Sequence, residues 1–237
     1  MRIEKLTLAR KTKFKTAYYV ARGEQHGPVV MITAGIHGNE VGSIAAATSL
    51  IHRLQRGQLR FDTGTLVIIP IVNQSAYGLR IRGLPDLNRT FPKAKGQSAR
   101  HPLSAAIIRV ANRYRPSWVL DLHEANGFSN VSRKYLGQSL ITNHWSASAT
   151  LSRKIIHKLN RDISSKKRKF NLRLRHLPGS ARFAAVTLFK AKAVTVETSW
   201  ELPLSLRKAY QTKIVRHFLD HIGIKLHEVH ARKDALV

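Results

Sequence analysis

Apolar runs of strand length recur along the chain, most of them followed by a stretch with helical spacing. Val29–Ala34 (Val-Val-Met-Ile-Thr-Ala) is almost unbroken, which predicts a central strand covered on both faces. Thr65–Val72, Trp118–Leu122 and Ala193–Glu197 repeat this signal. Two N-terminal strands are predicted over Ile3–Ala9 and Thr16–Arg22, and a shorter one over Asn171–His176. Helical spacing predicts helices over Val41–Arg56 (stopping near Gly57), Pro102–Arg115, Ala147–Lys167 and Leu204–Gly223.

Between these elements, Ala76–Gln97 is irregular and punctuated by Gly78, Gly83, Pro85, Pro92 and Gly96. Loops of that length inside a compact domain are commonly functional. Lys225–Val237 reads as a polar tail. Alternating strands and helices predict a single α/β domain over residues 1–224, built on an open, twisted, largely parallel (mixed) sheet with helices on both faces. In such sheets ligands gather beyond the carboxyl ends of the strands. His37, Asn73, His123 and Glu197 each fall at or just beyond the end of a predicted strand and would converge on one rim.

Composition narrows the chemistry. The chain of 237 residues has no cysteine, so disulfides and thiolate metal sites are excluded and only His, Asp and Glu remain as ligands. No apolar run approaches the ~20 residues of a membrane span. The N-terminus turns to charge at once (Met1-Arg2-Ile3-Glu4-Lys5), without the apolar stretch of a signal peptide, so a cytoplasmic protein is the expectation.

The formal charge is +28, an excess that attracts polyanions such as nucleic acid, anionic cell-wall polymers or acidic small molecules. Its densest run, Ser164–Arg175, reads as a solvated connector and charged edge strand, or as a polyanion contact. Glycine-rich phosphate loops and helix-turn-helix punctuation are both missing.

Two segments bear the candidate metal ligands. Gly35-Ile36-His37-Gly38-Asn39-Glu40 offers a His and a Glu three residues apart, and Asp121-Leu122-His123 adds a second imidazole. Two imidazoles and one carboxylate suit a catalytic Zn²⁺, because three protein ligands leave a fourth position for water. His37, Glu40 and His123 are the candidate ligands of one zinc ion, the set that the family resemblance below implies, and such a site discriminates weakly against other divalent ions. Asp121 or Glu124 would orient a ligating ring from behind.

Taken in order, Gly35–Glu40, Asp86-Leu87-Asn88-Arg89, Asp121–His123 and Thr195-Val196-Glu197-Thr198 resemble the zinc carboxypeptidase superfamily. The first two segments are most similar to its succinylglutamate desuccinylase/aspartoacylase branch, and the resemblance spans about Val29 to Ser199. It implies a zinc-carboxypeptidase-like fold and hydrolysis of an amide bond, in a C-terminal peptide bond or an N-acyl amino acid. It also implies Glu197 as general base, with Glu201 the rival four residues on. Asn88 and Arg89 would hold a substrate carboxylate, and Arg82, or Arg80, would stabilise the oxyanion. Pro178–Phe183 occupies the place of a specificity segment, so Arg182 is expected to face an acidic side chain. No tyrosine lies between Leu136 and Glu197, which departs from the carboxypeptidase pattern and leaves the leaving-group proton to Glu197. The competing class is a polyanion-binding protein on a hydrolase scaffold.

Overall fold

The apolar runs Val29–Ala34, Thr65–Ile69, Trp118–Leu122 and Ala193–Val196 lie side by side in one sheet. The structure, a computed structural model, describes residues 1–144 and 147–229. The strands are β1 (Arg2–Leu8), β2 (Thr16–Arg22), β3 (Gln25–Ala34), β4 (Leu59–Arg60), β5 (Thr63–Ile69), β6 (Trp118–Ala125), β7 (Ser139–Thr142), β8 (Asn171–Leu174), β9 (Lys192–Ser199) and β10 (His227–Glu228). The helices are α1 (Val41–Gln55), α2 (Gln74–Leu79), α3 (Pro102–Tyr114), α4 (Ala147–Asn160), α5 (Ala181–Phe189) and α6 (Leu204–His221).

Eight strands form one mixed sheet in the order β1–β2–β5–β3–β6–β9–β7–β8. Its centre, β5–β3–β6–β9, is parallel, while β2 pairs antiparallel to β5 and β7 antiparallel to β9. Register explains the two cores. The row Ile32–Leu120–Val194 enters the cluster containing Leu50 and Ile51 of α1 and Phe218 of α6. The adjacent row Met31–Val119–Ala193 enters the opposite cluster with Ile107 of α3 and Ala184 of α5. Successive residues of a strand point to opposite faces, so a continuous apolar run is what a doubly covered strand requires.

Several boundaries differ from the sequence reading. β6 continues to Ala125 and β9 to Ser199, so His123 and Glu197 sit inside strands rather than at their ends. α4 stops at Asn160 instead of Lys167, because the Asn160 amide bonds both the N–H and the C=O of Phe170 and closes a turn. The irregular stretch after β5 contains the short α2, capped by Asn73, whose side chain accepts the Ala76 N–H.

β7 and α5 carry no expected element. Of the polar tail expected over 225–237, residues 230–237 lie outside the described residues. Leu226 is buried, and His227–Glu228 pair with Leu59–Arg60. Among the described residues no helix is long and apolar enough to cross a membrane.

Candidate metal centre and cleft

β3 ends at Ala34 and the chain turns through Gly35, whose φ of +67° lies in the left-handed region that glycine tolerates. Gly38 packs against the start of α2 so closely that a Cβ there would lie 1.9 Å from the Ala76 carbonyl carbon. This turn presents His37 and Glu40 inward, just before α1 begins at Val41. His123 arrives from β6, the strand next to β3.

The three side chains are almost completely buried, at 2%, 1% and 2% exposure for His37, Glu40 and His123. Their ligand atoms fall within 4.8 Å of one another. His37 Nδ1 lies 2.6 Å from Glu40 Oε1, and His123 Nδ1 lies 2.9 Å from Glu40 Oε2. Each outer nitrogen meets a second carboxylate: His37 Nε2 is 3.1 Å from Asp86 Oδ1, and His123 Nε2 is 2.9 Å from Asp121 Oδ2. Asp121 is itself fixed by the Thr33 hydroxyl at 2.6 Å. A carboxylate on the far nitrogen is the usual way a metal-binding imidazole is oriented. Asp86 opens the Asp-Leu-Asn-Arg segment and was visible in the sequence, but its role as the partner of His37 was not.

Electrostatics match that arrangement. Burial raises the Glu40 carboxyl, but His123 and then His37 more than offset it and hold it at about 2. Burial also opposes the His123 cation, yet Asp121 and Glu40 keep that ring well above its ordinary range. Burial pushes Glu197 up to about 8, with Glu40 and Asp121 adding to the rise against His123 and Arg82. Glu197 Oε2 is buried and receives no hydrogen bond among the described residues. Two imidazole nitrogens and a dissociated carboxylate form a donor set that fits a small divalent cation, with the unbonded oxygen of Glu197 in the same cleft.

Glu124 does not touch either ring. Its carboxylate accepts the Gly42 N–H of α1 (2.8 Å), Arg207 Nη1 of α6 (2.8 Å) and the Thr198 hydroxyl of β9 (3.3 Å). Gln211 of α6 adds a bond to the His123 carbonyl at 2.7 Å.

His37, Glu40, His123, Glu124 and Glu197 line a cleft of about 280 Å³. Its walls include Arg82, Asn88, Arg89, Lys134, Leu177 and Trp200. Asn88 is buried and its Oδ1 accepts the Ala181 N–H at 2.9 Å. Arg82 and Arg89 are half exposed. Arg82 Nη2 bonds Asp86 at 2.9 Å, and Arg89 Nη1 bonds the Asn88 carbonyl at 2.7 Å.

Arg182 lies elsewhere. It is buried, donates to Asn143 Oδ1 and the Arg175 carbonyl, and is not among the residues lining the cleft. Burial pushes its guanidinium down to about 10. Arg182 is a buried residue in the first turn of α5, capped by Ser180, and the charges of Asp121 and Glu197 oppose that fall. Asn73 caps α2, Arg80 stacks over the Tyr77 ring, and Glu201 is exposed; none of the three lines the cleft. Lys134, Leu136 and Trp200 carried no motif by which the sequence could single them out.

Comparison with known proteins gives the family. Residues 26–222 match the succinylglutamate desuccinylase/aspartoacylase catalytic domain. An N-alpha-acetyl-L-2,4-diaminobutyric acid deacetylase from Halomonas elongata is 33% identical over 108 residues, which cover 44% of this chain and 30% of that protein. A succinylglutamate desuccinylase from Chromobacterium violaceum is 32% identical over 82 residues, covering 35% of this chain and 23% of that one. The chain thus matches less than a third of the length of these curated relatives. In fold it resembles the mDAP-bound form of Helicobacter pylori Csd4, described as a D,L-carboxypeptidase, with a TM-score of 0.73 and 21% identity, over 86% of this chain and 52% of that one. With the matched domain covering most of its length, the chain belongs to the succinylglutamate desuccinylase/aspartoacylase family.

Proposed function

We propose that this chain is a zinc-dependent hydrolase of an amide bond next to a carboxylate-bearing residue, in a C-terminal peptide bond or an N-acyl amino acid. The observation that carries the reading is Glu197: a buried carboxylate with an unbonded oxygen, beside His123 in the sheet and in the same cleft as His37 and Glu40. Family membership and the deacylation reactions named for the relatives support it.

His37, Glu40 and His123 would hold the ion, and Asp86 and Asp121 would keep each ring turned with Nδ1 toward it. When bound, zinc polarises a carbonyl and brings the pKa of water toward ~7. A bound cation's charge would hold Glu197 ionised, and Glu197 takes one proton from the attacking water as the water oxygen bonds the carbonyl carbon. It then returns that proton to the amide nitrogen as the C–N bond breaks and the amine departs.

Arg82 supplies a cationic wall of the cleft for the oxygen that gains charge. The oxygen of Asn88 is committed to Ala181, which leaves its NH₂ to donate to the substrate carboxylate. Arg89 completes that grip with its planar fork.

The test compares wild type with Glu197→Gln on N-acetyl and N-succinyl amino acids and on short peptides with free carboxyl ends, with metal content measured by elemental analysis. Zinc in both proteins and hydrolysis only in wild type is the expected result. Hydrolysis surviving in Glu197→Gln, or a protein that takes up no metal, would overturn the reading.

A further inference from the structure

Residues 125–196 carry fifteen lysines and arginines and a single acid, Asp162, which is engaged by Lys213. The fold gathers part of this charge beside the cleft. Lys166–Arg168 form an exposed 3-10 turn that continues through Lys169 toward β8. The segment 126–138, between β6 and β7, is fastened to that turn. Asn130 Nδ2 donates to the Lys169 carbonyl at 2.6 Å, and Gln138 Nε2 to the Arg168 carbonyl at 3.1 Å. Arg173 Nη2 donates to the carbonyls of Ser129 at 2.9 Å and Ser132 at 3.3 Å.

The same segment exposes Arg133 and places Lys134 in the cleft wall. None of Lys166, Lys167, Arg168, Lys169, Arg133 and Lys134 has a carboxylate within 4.0 Å among the described residues, whereas Arg82 and Arg207 do. Uncompensated like charges in one patch repel each other and favour an anionic partner.

The patch is built for charge rather than for bases. Phe170 is buried against Tyr210 and Phe128 is half-buried, leaving Tyr135 as the exposed ring of the two segments. A single ring is a poor stacking platform for single-stranded nucleic acid. An acidic peptide needs only the cations, and an extended one advances about 3.3 Å per residue, so six residues reach about 20 Å.

We propose that the ridge at Lys166–Lys169 and the Arg133–Lys134 loop form a track for an acidic polypeptide whose carboxyl end enters the cleft. The inference rests on the hydrolase reading above and names its substrate class: peptides with several acidic side chains on the N-terminal side of the scissile bond. Lys134 faces the nearest of these, and the ridge faces those further out.

The test uses fluorescein-labelled hexaglutamate and a neutral Gly-Ser hexapeptide, measured by anisotropy against wild type, the fourfold variant K166Q/K167Q/R168Q/K169Q, and Lys134→Gln. Wild type is expected to bind hexaglutamate at least 10-fold more tightly than the neutral peptide. That advantage should shrink steeply between 50 and 300 mM salt, where the Debye length falls below about 6 Å. The fourfold variant, with Tm unchanged, should lose most of the advantage, and Lys134→Gln should lose about 3-fold to 10-fold. Unlabelled hexaglutamate should compete with a small N-acyl substrate.

Equal binding of the two peptides, undiminished binding by the fourfold variant, or tight binding that leaves hydrolysis untouched would each overturn the track. So would an oligonucleotide of equal charge binding more tightly through the same ridge. If no substrate is hydrolysed yet ridge-dependent hexaglutamate binding persists, the hydrolase reading fails while the track stands as a binding surface.

Discussion

Glu197 and His123 are register partners on the adjacent parallel strands β9 and β6. The backbone ladder therefore sets the spacing between the candidate base and a candidate ligand, and neither residue depends on a loop for its position. Shortening the base should expose that rigidity. In Glu197→Asp the carboxylate retreats by one methylene and the strand cannot follow. We expect kcat to fall about 100-fold, the scale of a 1 Å misplacement, with metal content unchanged. Steady-state kinetics paired with elemental analysis checks this, and wild-type turnover in the variant would contradict it.

Behind each ring stands a carboxylate, Asp86 for His37 and Asp121 for His123. Replacing either with Asn keeps its size but removes the charge that orients the imidazole. Zinc affinity should weaken about 10-fold to 100-fold. Competition with a chromogenic chelator reads this directly. Asp121→Asn should give the cleaner result, because Asp86 also anchors Arg82 and its loss disturbs a second group.

The turn that carries His37 and Glu40 tolerates no side chain at position 38, where a Cβ would overlap the Ala76 carbonyl. Gly38→Ala must push α2 away from the turn or displace the turn itself. A destabilisation of about 1–3 kcal/mol, as for other overpacked sites, is expected together with loss of bound metal. Thermal unfolding monitored with and without added zinc tests it, and an unchanged Tm with full metal occupancy would refute it.

His217 of α6 is buried, and neither of its ring nitrogens has a hydrogen-bond partner among the described residues. Burial, then Lys158 and Lys213, hold its pKa below the ordinary histidine value, against a smaller opposing pull from Asp220. Because the folded value is the lower one, the unfolded chain binds the proton first as pH falls below about 6.5, and stability is lost from there downward. His217→Leu removes that penalty. Its Tm should drop less than that of wild type between pH 7 and pH 5, as differential scanning calorimetry would show; parallel profiles would rule the idea out.

The elements that position the site were legible because each central strand is an apolar run, which only a doubly covered sheet position explains. His37, Glu40, His123, Asn88 and Arg89 lie in short motifs attached to those runs, and all five meet at the cleft. What stayed hidden depends on long-range partners. β7 (Ser139–Thr142) is buried although its ends are polar, because Ser139 bonds the Leu136 carbonyl and Thr142 the Ala193 carbonyl. α2 is six residues long and contains Gly78, too little for helical spacing to register. Arg182 is the opposite case. Its place along the chain suggested the cleft, but its guanidinium is spent on Asn143 and the Arg175 carbonyl. Lys134 reaches the cleft from a segment with no motif.

Glu124 joins α1, β6, β9 and α6 through three hydrogen bonds, and Gln211 reinforces the same junction. Glu40, His123 and the candidate base Glu197 lie within two residues of that junction along the chain, and His37 lies five residues before Gly42. The segment 126–138 is tied to the ridge that precedes β8 and, through Gln138 Oε1, which accepts the Ser199 N–H, to the end of β9. Substitutions at Asn126, Lys134 and Leu136 can therefore retune what the cleft accepts while the bonds of Glu124 stay in place. Variation at Glu124 or Arg207 would strike the centre itself and should be purged in any lineage that keeps it.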